Sequence, residues 1–136
     1  MPGTLHVELV SPERILYSGE ATMVVTRTVE GGEVAFQPGH APFLGALTEN
    51  HTRIYEPDGR IQDLAVHGGF VEVTGTKVSI LSDMAELAEH IDVPSVERRV
   101  TELEDQLRVA EDDATAATEL RRAHARLAAA RGSAAR

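Results

Sequence analysis

The sequence predicts an α+β chain, a β-sandwich over residues 1–84 followed by a two-helix antiparallel hairpin over 85–136, and three observations predict it. Ten of the 11 glycines lie at or before Gly75 and five of the six prolines precede Asp58, whereas 11 alanines crowd into Ala110 to Ala135. Glycine and proline punctuate strands and turns while alanine is the best helix former, so the architecture changes near residues 83 to 93. Apolar residues recur with period two in the first part and at alternating spacings of three and four in the second.

In the first part, Leu5, Val7 and Leu9 alternate with His6, Glu8 and Val10, the period of a half-buried strand, and Ser11-Pro12-Glu13 ends it. Ile15 to Tyr17 and Ala21 to Thr28 read as the next two strands, with Ser18-Gly19 as the turn between them. Thr52 to Tyr55 and Ile61 to Val66 flank Pro57-Asp58-Gly59, a hairpin signal because proline presets the turn and glycine permits positive φ. Phe70 to Thr74 and Lys77 to Leu81 flank a second hairpin turn, Gly75-Thr76. Eight or more short strands at this spacing indicate a sandwich or barrel.

In the second part, Val93, Val96, Val100, Leu103, Leu107 and Ala110 make one apolar seam on a helix capped by Asp92, with Pro94 tolerated in the first turn. Ala116, Leu120, Ala123, Leu127 and Ala130 make a second seam, out of phase with the first. The phase break at Glu111-Asp112-Asp113 predicts a turn with an aspartate capping a second helix; a single long helix with a local stutter is the rival reading. Ile91 to Asp113 carries three Arg against eight acids, and Ala114 to Arg136 five Arg against Glu119 alone. Such a division fits a self-complementary hairpin, or one whose Arg121, Arg122, Arg126 and Arg131 address an acidic partner when it opens.

Composition excludes several function classes. Thirteen Lys and Arg against 22 Asp and Glu give a net charge of −9, and there are no Trp, two Tyr and three Phe. That balance repels phosphate backbones and offers little to stack on bases, so no nucleic-acid partner is expected. No window approaches the roughly 18 apolar residues of a membrane span, and Met1-Pro2-Gly3-Thr4 opens no signal peptide, so a soluble chain is expected. With no cysteine there are no disulfides, thiolate metal sites or cysteine nucleophiles. The six histidines, at 6, 40, 51, 67, 90 and 124, show no metal-ligand spacing, and no nucleophile elbow or P-loop is present. Gly68-Gly69 lacks the lysine and following helix of a phosphate loop and reads as a bulge in a sheet.

The most specific stretch is Gly31 to Leu47, GGEVAFQPGHAPFLGAL. Val34 and Phe36 share a strand face, Pro38-Gly39-His40-Ala41-Pro42 makes a corner, and Phe43 to Leu47 begins another strand. Two prolines four residues apart remove two N–H donors, so the corner belongs at an edge or sheet end. It displays His40, with Glu33 seven residues upstream at the mouth of the same loop. Taken alone, His40 reads as a turn histidine whose ring bonds a nearby carbonyl.

The pattern of Gly32, Glu33, Pro38, Gly39, His40, Ala41, Pro42 and Leu44 resembles the epsilon subunit of the F-type ATP synthase. So does a second block, Gly68-Gly69-Phe70-Val71-Glu72-Val73 followed by Val78 and Ile80-Leu81. The resemblance implies a non-catalytic rotor subunit on the cytoplasmic face of the cell membrane. Its sandwich would clamp the gamma subunit and rest on the c-subunit ring through Glu33 and His40, with Gly32, Pro38, Gly39 and Pro42 shaping the corner. It would couple proton flow to ATP synthesis, and its helical tail would reach the beta subunit and inhibit hydrolysis.

Some members of that family bind ATP through an I-D-x-x-R-A motif and arginines of the second helix. Here Ser95 and Val96 stand at the motif's arginine and alanine, beside Asp92, while Arg122 and Arg126 occupy the second-helix positions. Losing one charge-assisted bond to phosphate costs about 1.5 to 3 kcal/mol, so no cofactor is expected and ATP binds weakly at most. The alternative is a regulatory protein that senses nucleotide in the tail, with Asp92, Arg121, Arg122, Arg126 and Arg131 as contacts.

Overall fold

The computed structural model describes residues 3–136; Met1 and Pro2, where the reading of the N-terminus as free of a signal peptide begins, lie outside the described residues. Eight strands come first: β1 (Leu5–Val10), β2 (Ile15–Ala21), β3 (Met23–Thr28), β4 (Gly32–Phe36), β5 (Phe43–Tyr55), β6 (Ile61–Thr74), β7 (Lys77–Leu81) and β8 (Ala85–Leu87). A 3₁₀ turn at Ala88–His90 leads to α1 (Val93–Val109) and α2 (Ala114–Ala134). The strands are hydrogen-bonded in the order β2-β1-β7-β6-β5-β3-β4, with β8 added to β6. Among the described residues only β1 and β7 pair in parallel.

The two ends of that order meet across one core. Leu5, Val7 and Leu9 of β1 pack in the same cluster as Val24 of β3, Phe36 of β4 and Ile54 of β5, all with no exposed surface. The sheet is therefore folded into the two layers of a sandwich. Each fully buried Val, Leu, Ile or Phe contributes about 1.5–3 kcal/mol by leaving water.

The long strands β5 and β6 make this folding possible. They run in unbroken register from Phe43↔Val73 to Tyr55↔Ile61, and four predicted short strands are thus two continuous ones. Gly68-Gly69 is a bend in β6, not a bulge against β5: φ is +86° and +108°, and a Cβ at Gly69 would lie 2.0 Å from the Leu81 carbonyl oxygen. Before the bend β6 pairs with β8, after it with β7.

Two boundaries differ from expectation. Ser18-Gly19 is not a turn: β2 runs through it, with Gly19 opposite Val7. Glycine is used there for space, because a Cβ would stand 3.0 Å from the Tyr17 hydroxyl, and the break falls at Thr22 instead. The sheet also runs past the expected boundary at residue 84, since Ala85–Leu87 pair with Leu64–Val66.

The tail is a hairpin rather than one long helix. Asp92 caps α1 by accepting from the Ser95 amide at 3.3 Å, and Asp113 caps α2 by accepting from the Ala116 amide at 3.0 Å. The Ala116 and Gln106 donors hold the Asp113 carboxyl below its usual range. α2 lies between α1 and the sheet, touching β5 and β6. It thus buries two faces, Ala116, Ala123 and Leu127 of the predicted seam and also Ala125 and Ala129. Methyl groups permit that closeness. At Gly132 a Cβ would come within 2.6 Å of the His51 ring.

Candidate functional site

The corner after β4 is a hydrogen-bonded turn. The His40 amide donates to the Gln37 carbonyl at 3.1 Å, with Pro38 and Gly39 as the central pair and Gly39 at φ +89°, the pattern of a type II turn. β4 is the last strand in the order, so the two prolines fall at a sheet edge as their missing donors require. His40 is half-buried. Its Nδ1 donates to the Ala41 carbonyl at 2.6 Å, and its ring stands edge-on to Phe36 with centroids 4.9 Å apart.

Glu33 is exposed and lies opposite Arg27 in the ladder, and it accepts from Arg53 Nη2 at 2.9 Å. It sits at the start of β4 while His40 lies beyond that strand's end, so the two are not together at the mouth of one loop. They mark the two ends of a rigid edge strand. Gly32, at φ +69°, opens that strand, and Pro42, exposed, precedes β5.

Beside this edge lies an apolar row that periodicity did not single out. Ala46, Phe70, Leu81 and Val10 are successive cross-strand partners on β5, β6, β7 and β1. Phe70 is 56% and Leu81 49% exposed, with Leu44 at 71% and Val29 at 63% close by. A groove runs between the Val29–Gly31 turn, Phe43–Ala46 and Phe70. The signal was present in the sequence: Phe70 and Leu44 are apolar residues in the outward phase of their strands, where Glu72 is the polar norm.

Arg121, Arg126 and Arg131 of α2, and Arg136 two residues past its end, pair with acids of the sheet and of α1, with Arg121 and Arg131 still largely exposed. Arg121 Nε donates to Glu49 at 3.1 Å, Arg126 Nη2 to Glu86 at 3.0 Å, Arg131 Nη2 to Glu97 at 3.2 Å and Arg136 Nη2 to Asp63 at 2.7 Å. Glu86 also accepts from His67, and this bond, with Arg126 beside it, holds its carboxyl below the usual range despite partial burial. Arg122 has a buried Nε without a partner and lines a cavity with His67, Ser82 and Met84. Asp92 is engaged as a helix cap. Among the described residues no three His, Asp or Glu side chains converge as metal ligands, and no helix is long and apolar enough to cross a membrane.

Residues 4–88 match the family model for the ATP synthase delta/epsilon chain, β-sandwich domain. The chain belongs to that family. It is 44% identical over 129 residues to the ATP synthase epsilon chain of Streptomyces griseus, covering 95% of this chain and 97% of the relative. The epsilon chain of Thermobifida fusca is 46% identical over 131 residues, covering 93% and 92%. In fold, the chain is similar to one in the mitochondrial ATP synthase of Euglena gracilis, solved as OSCP, F1 and c-ring, with TM-score 0.78 at 18% identity over 90% of this chain and 78% of that one. A central-stalk and c-ring structure of the Tetrahymena thermophila enzyme gives TM-score 0.52 at 18% identity over 65% and 70%.

The matched span ends at residue 88, one residue past β8, so the epsilon β-sandwich domain includes the strand that sequence reasoning assigned to the helical part. The two sequence blocks that carried the resemblance to epsilon subunits fall on the β4 edge and on the bend of β6. What sequence reasoning missed in this epsilon-family chain is the row between them and the pairing of α2 with the sheet. Those pairs join residues 40 to 73 apart in the chain, and no local pattern announces them.

Proposed function

We propose that this chain works as a central-stalk rotor subunit of ATP synthase, joining the gamma subunit to the c-subunit ring at the cytoplasmic face of the membrane. The observation that carries this reading is the exposed row through Phe70 and Leu81 with Leu44 beside it, a firm apolar surface on strands paired on both sides. Exposed apolar patches of this kind mark interaction sites. In this reading the row takes gamma, while the β4 edge with Glu33 and His40 rests on polar loops of the c-ring. The chain does no chemistry. It carries torque between proton flow and the catalytic head.

The test separates the two surfaces. Phe70→Asp with Leu44→Asp is expected to abolish co-purification with gamma while the far-UV spectrum stays unchanged. Glu33→Ala with His40→Ala is expected to spare gamma binding and to lower the ratio of proton pumping to ATP hydrolysis in the assembled enzyme. Retained gamma binding in the first variant rejects the reading of the row, and an unchanged ratio in the second rejects that of the edge.

The tail is read as a restraint on hydrolysis that acts when it leaves the sheet and meets the beta subunit. Truncation after Asp92 is then expected to raise ATP hydrolysis by the assembled enzyme, with equal rates counting against it. Tight ATP binding to the isolated chain is not expected, because Arg126 is bound to Glu86 and Ser95 replaces the motif arginine. Calorimetry showing micromolar affinity would favour a nucleotide sensor instead.

A further inference from the structure

The seam between α2 and the sheet holds two clusters of one design. In each, a histidine of the sheet shares one carboxylate with an arginine of the helical tail, Arg126 within α2 or Arg136 two residues past its end. Asp63 Oδ1 meets His51 Nε2 at 2.5 Å and Arg136 Nη2 at 2.7 Å. Glu86 meets His67 Nε2 at 3.1 Å and Arg126 Nη2 at 3.0 Å. Each cluster is part-buried: side-chain exposure is 0% for Asp63, 2% for His67 and 16% for His51, against 31% for Glu86, 34% for Arg126 and 36% for Arg136.

We propose that these clusters make the docking of α2 an acid-released latch, in which a proton taken up by His51 or His67 replaces the arginine of the helical tail as the counter-charge of the sheet carboxylate. With a neutral imidazole each cluster holds one anion and one cation. A second proton on the ring places two cations on one carboxylate, at sites only partly open to solvent. The arginine is the member on a separate element, so its departure with α2 restores a one-to-one pair of imidazolium and carboxylate on the sheet. At His67 the docked helix adds a second penalty. Its Nδ1 is buried without a partner, and a proton there is a donor with no acceptor until α2 lifts away.

The surrounding charges do not reverse this sense. Around His67, Arg122 of α2 adds to the repulsion, Asp83 lies between β7 and β8, and Glu13 and Arg14 in the β1–β2 connection offset one another. Around His51, Arg121 is taken by Glu49 and Arg53 by Glu33, which leaves Arg27 of β3 and His124 of α2 as further positive or protonatable neighbours. The Glu86 carboxyl is held below its ordinary value of 4.5, first by the His67 bond. The stability it lends is present above that value and lost only as pH falls through its lower docked one, so Glu86 stays ionised between about pH 8 and about pH 5.5. Histidine is the side chain that ordinarily changes charge in that window.

The chain has no cysteine, so Arg60→Cys at the β5–β6 turn and Arg108→Cys on α1, both exposed, can carry a donor and an acceptor dye on the full-length protein. Energy transfer at low salt is expected to fall reversibly as pH is lowered from about 8 to about 5.5, with strand circular dichroism unchanged. His51→Gln with His67→Gln, which keeps a donor but takes no proton, is expected to abolish the transition. Each single variant is expected to make it shallower. Constant transfer in the parent chain overturns the proposal, as does a transition equally steep in both single variants or surviving in the double one. The measurement uses the isolated chain, so its outcome is independent of whether the apolar row binds gamma.

Discussion

The sandwich and the helical hairpin are held by different forces. Leu5, Val7, Phe36, Ile54 and Ile80 close the sandwich with no exposed surface, whereas the faces α2 buries are mostly alanine, and Arg121 and Arg126 along it and Arg136 after it are tied to acids of the sheet. A buried methyl removes little area from water, at roughly 25 cal/mol per Å². Area therefore weighs more in the first part and charge relatively more in the second, so core truncation is expected to act mainly on the first and salt mainly on the second.

That contrast is broken most directly at the core. Phe36→Ala is expected to cost about 3–5 kcal/mol and to lower the urea midpoint of the whole chain, since Phe36 is fully buried and also backs the His40 ring. A loss below about 1 kcal/mol would mean that area is not what closes the sandwich. Gly69→Ala, at φ +108° and against the Leu81 carbonyl, is expected to cost about 1–3 kcal/mol in the same titration.

On the helical side the effects are smaller and local. Arg126→Ala is expected to speed amide exchange along α2 by weakening its docking by about 1.5 kcal/mol, with β1 and β7 amides unaffected. Equal acceleration in both parts would erase the distinction. Asp113→Ala removes the α2 cap and is expected to cost about 1 kcal/mol, read as lost helical ellipticity. Arg131→Ala, at an exposed pair with Glu97, is expected to change stability by less than about 0.5 kcal/mol and to lose even that effect in high salt.

Elements set by local rules were legible in the sequence. Asp92 and Asp113 cap the helices where the apolar phase breaks, and Pro38-Gly39 makes the turn its two residues favour. Ser18-Gly19 misled because glycine marks both turns and close contacts, and only the Tyr17 ring above Gly19 decides between them. β8 is three residues long, too short to show a period, and is fixed by Leu64–Val66 across the sheet. The second buried face of α2 went unseen because Ala125 and Ala129 read as helix formers, not contacts. Glu33 and His40 were placed at one loop although the alternation of Val34 and Phe36 already read as a strand, and that strand, β4, carries the two apart.

The bend at Gly68-Gly69 joins two surfaces along one strand. Asp63 to His67 lie beneath α2 at one end of β6, and Phe70 stands in the outer row at the other. A tug on the hairpin therefore reaches the outer apolar row through covalent backbone within a few residues, with the ladder to β5 loaded in shear along its length. Side chains can slip past one another under such a load, but a bonded strand cannot. In mechanical terms β6 is a tendon, and its two glycines are the pulley over which it turns.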